Sequence, residues 1–150
     1  MAIRQITKWH DERFDKTSRA VEKFDARLHA LLDDMLDSLR NAKGYGCAAV
    51  HVGVLRRVVV IDDEALGVIE LINPVITEAS QESAEFREGS IAEGSPISMT
   101  NRPTWVVVTA QDRHGEPITF RGEDFLSATL CHEIDHLDGV RFSSKLYESI

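Results

Sequence analysis

Apolar residues recur at helical spacing in the first third of the chain. Leu28, Leu31, Leu32, Met35, Leu36 and Leu39 fall three and four apart, which predicts an amphipathic helix from about Asp25 to Asn41. Asp25 suits its N-cap, and Gly44 lies just past its end. The stretch from Gly44 to Gly53 then breaks the pattern with three glycines and two alanines, marking backbone that comes close to something. Arg57 to Ile61 is a β-branched run, and Val68 to Ile72 is another, ended by Asn73-Pro74 and continued in part by Val75 to Thr77. From Ser80 to Pro103 the chain reads as polar and irregular, with Phe86 and Ile91 interrupting the polarity. Trp105 to Thr109 and Ile118 to Arg121 flank a turn at Arg113-His114-Gly115-Glu116 and predict a hairpin. A last helix opens at Glu123, with Glu123 and Asp124 in its first turn, and ends at Asp138-Gly139. The order of elements predicts an α+β fold, and the absence of repeats or linkers predicts one domain over residues 1–150.

The second half of that last helix reads His132-Glu133-Ile134-Asp135-His136. Residues four apart on a helix differ by roughly 40° around the axis and lie about 6 Å apart along it, so both imidazoles can reach one metal ion. Glu133 projects beside them, placed to take a proton from a water that the ion activates, which makes H-E-x-x-H a hydrolase motif. A catalytic site of this kind needs a third protein ligand. The extension H-E-x-x-H-x-x-G-x-x-H is matched through Gly139 but has Phe142 where its last histidine should be, which argues against that metalloprotease class. Asp138 and Glu148 are the downstream candidates; an upstream ligand is the better expectation.

Composition narrows the partners. At 150 residues the chain can bury a sizeable core without disulfides, and its two cysteines, Cys47 and Cys131, are too few for a disulfide framework. A net charge of −8 with no run of five Lys or Arg makes nucleic acid a poor partner. With no run of 18 apolar residues and no signal-peptide pattern at the start, the chain is expected to be cytoplasmic, without a membrane span.

Three ordered motifs carry a family resemblance. Gly44-Tyr45-Gly46-Cys47-Ala48-Ala49-Val50-His51 resembles the first motif of peptide deformylases, GxGxAAxQ. Glu88-Gly89-Ser90-Ile91-Ala92 resembles their second, EGCLS, and His132 to His136 is their third, HExDH. The resemblance implies a small α+β metallohydrolase in which antiparallel strands surround the HExDH helix. It implies His132 and His136 as ligands of one divalent ion, iron(II), zinc or nickel, with Glu133 as general acid and base. The main-chain N–H of Ile91 would hold the oxyanion, Gly46, Tyr45 and Glu88 would be substrate-side positions, and Glu88 and Arg102 would form a buried bracing pair. The implied substrate is a formylmethionyl peptide or a related small formyl amide.

Two departures touch the site itself. The family's cysteine, whose thiolate is the third ligand, is here Ser90, and the glutamine that ends its first motif is here His51. A hydroxyl is a much weaker ligand than a thiolate for a borderline-soft ion, so the ion should be held less tightly unless another donor compensates. Either Ser90 or His51 can supply the third ligand; otherwise His51 acts as a hydrogen-bond donor to the oxyanion or to Ser90. The alternative function is a catalytically impaired paralogue that keeps the groove as a binding module. Tyr45, Cys47 and Ala92 also differ from the family's usual residues. The long basic tail through which docking to the ribosome would be expected has no counterpart in Ser143 to Ile150.

Overall fold

The computed structural model describes residues 2–142. After a short 3-10 turn at Glu12–Asp15 the elements run α1 (Ala26–Asn41), β1 (Gly46–Ala48), a 3-10 turn at Ala49–Val52, β2 (Val58–Asp63) and β3 (Gly67–Ala79). They continue through β4 (Ser83–Glu88), β5 (Ser98–Pro103), β6 (Trp105–Gln111), β7 (Pro117–Glu123) and α2 (Phe125–Leu137). Strands β1-β2-β3-β6-β7 form one antiparallel sheet in that order, and β4-β5 form a separate two-stranded ribbon.

Strand β2 explains how one sheet serves two cores. Val59 and Ile61 point to the side that packs with α2, together with Leu71, Val106, Val108, Leu130 and Leu137. Val58 and Val60 point the other way, into a second cluster with Leu28, Leu31, Leu32, Met35 and Leu39 of α1. Buried on both faces, the strand reads as an unbroken β-branched run rather than an alternation. The sheet is therefore sandwiched between α1 and α2.

Helix α1 forms as its pattern predicts. The Asp25 carboxylate accepts from the Leu28 N–H at 3.2 Å, capping the first turn, and the leucine stripe faces the sheet. At its C-terminal end the left-handed residue is Lys43 (φ 56°), not the expected Gly44. Gly44 is required by space instead: a Cβ there would lie 2.4 Å from Ile91 Cγ2 and 2.7 Å from Leu39 Cδ1.

Three expectations change. Ser80 to Pro103 is not irregular throughout, since Ser83–Glu88 and Ser98–Pro103 pair in a six-residue antiparallel ladder. Strand β3 runs through Asn73-Pro74 by a bulge between Ile72 and Val75, where Asn73 takes φ 53° and its side chain bonds both backbone groups of Val21. Glu123 does not open α2; it closes the β6-β7 ladder opposite Trp105, so strand pairing overrides its helix propensity. Asp124 makes no side-chain cap, and the first turn of α2 carries no acid.

Helix α2 stops where Gly139 adopts φ +73° against the Asp15 backbone, with an added Cβ only 2.7 Å from the Asp15 carbonyl oxygen. Gly139→Ala should therefore destabilise the protein by about 2 kcal/mol or more, read from urea unfolding. An unchanged midpoint would show that this turn does not fix the helix end.

Candidate metal centre

Helix α2 is buried on almost every side, and this brings its polar residues into the core. His132 and His136 lie one turn apart with their Nε2 atoms 3.1 Å from each other. Tautomer and orientation of His132 are set from behind. Its Nδ1–H donates to Glu88 Oε1 at 2.9 Å, leaving Nε2 as the lone-pair atom facing His136.

Glu88 sits at the end of β4 and is held in turn by β5. Arg102 donates from Nε to Oε2 at 2.8 Å and from Nη2 to Oε1 at 2.9 Å, and the Thr100 hydroxyl donates to Oε2. Arg102 Nη1 also reaches Asp135 Oδ2 at 2.8 Å, tying the ribbon to the motif itself. Burial pushes the Glu88 carboxyl up, but the hydrogen bonds from His132, Arg102 and Thr100 outweigh it and bring it down to about 2. Its four lone-pair directions are occupied, so Glu88 acts through His132 and Arg102.

Glu133 is in the opposite situation. It is buried, and its Oε1 has no hydrogen-bond partner among the described residues. Burial is the largest influence on its carboxyl; with the Glu88 charge it outweighs His132 and Arg102 and raises the group to about 7. Gly46 lets β1 pass close by, since a Cβ there would meet Thr129 Cγ2 at 2.9 Å and Glu133 Oε2 at 3.6 Å.

His51 follows β1 in the 3-10 turn and is completely buried. Its Nδ1 accepts from the Ala48 N–H at 3.0 Å and lies 3.2 Å from the Ala48 carbonyl; its Nε2 lies 3.0 Å from Ser90 Oγ. Ser90 Oγ also accepts from the Ala92 N–H at 3.1 Å. Burial first, and then the closeness of His132, push His51 down to about 3, so the ring is neutral at ordinary pH. His136 is pushed well down by burial first and then by His51 and His132. The two loop departures thus meet each other in space.

Aromatic rings wall this cluster, and periodicity gave no sign of them. Phe142 stacks on His132 with centroids 5.0 Å apart, Phe14 lies 5.2 Å from both His51 and His136, and Trp9 meets His136 edge-on. Thr100 and Asp135 also went without a role at the sequence level. Cys131 packs in the core beside Leu130 and Ile134.

A cavity of about 380 Å³ opens onto His132 and Glu133 and is lined by Tyr45, Gly46, Ser90 and Ile91. The Tyr45 hydroxyl donates to Asp63, which holds its ring 5.3 Å from Phe125 at the rim. His51, Glu133 and His136 offer ligand atoms within 4.8 Å of one another. Two ring nitrogens about 2.0–2.1 Å from a tetrahedral ion lie about 3.3 Å apart, close to the spacing of the His132 and His136 Nε2 atoms. Together with the unpartnered Glu133 oxygen, this donor set fits one divalent cation of borderline softness.

A helix-borne H-E-x-x-H motif enclosed by antiparallel strands and opening onto a small cavity defines a compact α+β metallohydrolase class. Comparison with known proteins narrows it. The family model for polypeptide deformylase matches residues 3–149, and the chain belongs to the peptide deformylase family. Peptide deformylase 1 of Clostridium acetobutylicum is 46% identical over 149 residues, covering 99% of this chain and 98% of that protein. The peptide deformylase of Caldicellulosiruptor bescii is 48% identical over 146 residues, covering 97% and 87%. A crystal structure of a peptide deformylase from Legionella pneumophila superposes with a TM-score of 0.92 at 38% identity, covering 98% of this chain and 88% of that one. One from Ehrlichia chaffeensis in complex with actinonin gives 0.92 at 32%, covering 99% and 91%. No helix among the described residues is long and apolar enough to cross a membrane.

Two outcomes follow from the buried charges. Arg102→Ala leaves the Glu88 carboxylate buried without its main partner and should cost about 3–5 kcal/mol of stability in urea unfolding; a loss under 1 kcal/mol would mean that the pair is dispensable. Glu133 binds its proton more tightly in the folded chain than in the unfolded one. It therefore costs nothing below pH 4.5 and destabilises the metal-free protein progressively up to about pH 7, by on the order of 3 kcal/mol. Metal-free Glu133→Gln should be more stable than wild type at pH 8 and equal to it near pH 4; equal stability at both would contradict the raised carboxyl.

Proposed function

We propose that the chain is a metal-dependent hydrolase that removes the N-formyl group from formylmethionyl peptides or a closely related small formyl amide. The observation that carries this reading is Glu133: a buried carboxyl raised to about 7, its Oε1 without a hydrogen-bond partner among the described residues, beside two imidazoles whose Nε2 atoms converge. A structural helix has no use for such a group, whereas amide hydrolysis needs it as both base and acid. Its peptide deformylase relatives support the same assignment.

In this reading His132 and His136 hold one divalent ion, iron(II), zinc or nickel, with a third donor from the loops, His51 or Ser90. When bound, the ion supplies a Lewis acid that polarises the formyl carbonyl and makes water acidic enough to deprotonate near neutral pH. Glu133 takes the proton as hydroxide adds to the formyl carbon, then delivers it to the nitrogen as the C–N bond breaks, giving formate and a free amine. The Ile91 N–H would hold the oxygen that gains negative charge, joined by a His51 N–H where Ser90 is the third ligand. Gly46 and Tyr45 border the substrate, which enters by the cavity, and Glu88 keeps His132 in register. The reading carries with it one domain over residues 1–150 and a cytoplasmic place of work. The alternative of an impaired binding module rests on Ser90 alone and gains no support from the relatives.

The iron(II)- or nickel-loaded protein should hydrolyse a formyl-Met tripeptide, and Glu133→Ala should lower kcat by about 10²–10⁴-fold while the ion stays bound. Peptide binding without turnover in the loaded wild type would favour the module instead.

A further inference from the structure

The third ligand is the open element of this site, and the geometry points to His51: we infer that the ion is held by three imidazoles, His51, His132 and His136, with Ser90 positioning His51 rather than coordinating. The inference rests on the metallohydrolase reading above and deepens it.

Ser90 is poorly placed to coordinate. Its oxygen accepts from the Ala92 N–H at 3.1 Å, which uses one lone pair, and it lies 3.0 Å from His51 Nε2. With Nδ1 accepting from the Ala48 N–H, Nε2 carries the proton and donates to Ser90, which uses the second lone pair. A neutral hydroxyl that already accepts from a backbone N–H is a weaker donor than an imidazole for a cation of borderline softness.

His51 can release what the ion needs. Its Nδ1 lies within reach of both the Ala48 N–H, at 3.0 Å, and the Ala48 carbonyl, at 3.2 Å. Moving the ring proton from Nε2 to Nδ1 exchanges the first partner for the second and frees the Nε2 lone pair. A ligating imidazole commonly has this arrangement, with its far nitrogen donating to a backbone carbonyl or a carboxylate. His132 already has it through Glu88. The His51 ring stands perpendicular to His136 with centroids 5.0 Å apart, and its ligand atom falls within 4.8 Å of those of His136 and Glu133; His132, outside that group, joins it through its Nε2, 3.1 Å from that of His136. Ser90, anchored by Ala92, fixes the direction in which Nε2 points before the ion arrives. Three neutral imidazoles form a donor set sufficient for hydrolytic zinc, so the chain does not need a thiolate at position 90.

The test is cobalt(II) affinity measured by competition with a chelator, together with imidazole counting by X-ray absorption, in wild type, His51→Gln, His51→Ala and Ser90→Ala. His51→Gln keeps the buried volume and polarity, so its fold is checked by circular dichroism without relying on the alanine variant. The inference expects three imidazoles in wild type, a loss of affinity of about 100-fold or more in both His51 variants, and a change below about tenfold in Ser90→Ala. Loss of cobalt in Ser90→Ala with retention in His51→Gln overturns it, as does a wild-type count of two imidazoles. The two readings fail separately. Three imidazoles without Glu133-dependent hydrolysis sinks the proposed reaction alone, whereas hydrolysis with a two-imidazole ion sinks this inference alone.

Discussion

Everything at the centre of this protein depends on one buried carboxylate. Glu88 joins the β4-β5 ribbon to α2 by accepting from His132 on one side and from Arg102 and Thr100 on the other. Burying a carboxylate and a guanidinium costs several kcal/mol per ion unless their hydrogen bonds are complete. Here they are complete for the carboxylate, and the Arg102 fork extends to Asp135 within the motif. A ribbon that would otherwise be a marginal two-stranded hairpin is fixed to the helix by this network, and the His132 tautomer is fixed with it.

That network divides the site into a rigid half and an adaptable half. His132, Glu133 and His136 ride on a helix enclosed by the core, and Phe142, Phe14 and Trp9 pack against the two imidazoles. His51 and Ser90 arrive on loops and bond to each other, and the Ala48 peptide can serve either tautomer of His51. Glu133 lies between the two halves, and its Oε1 has no hydrogen-bond partner among the described residues. The energetic cost of its burial is the counterpart of its use as an acid and base near neutral pH.

How much of this was legible in the sequence follows from which forces leave a periodic trace. Helix α1, strand β2, the β6-β7 hairpin and the HEIDH helix all bury apolar side chains, and their spacing announces them. The β4-β5 ribbon leaves no such trace, because the side chains it turns inward include Glu88, Thr100 and Arg102, and polar residues that bury themselves against one another read as a loop. The start of α2 is hidden from local pattern because a ladder partner 18 residues away, Trp105, decides where Glu123 goes. His51 and Ser90 stood out one at a time as departures from a pattern; that they touch is a tertiary fact. The aromatic wall had no signal at all, since Trp9, Phe14 and Phe142 lie at opposite ends of the chain.

The site depends on Glu88 presenting His132 with Nδ1 protonated and Nε2 open. Imidazole 15N NMR of the selectively labelled, metal-free protein reads this directly. The account predicts that His132 is locked as the Nδ1–H tautomer, with its Nε2 resonance moving when zinc is added. A His132 that carries its proton on Nε2, or that shows no response to zinc, would contradict it.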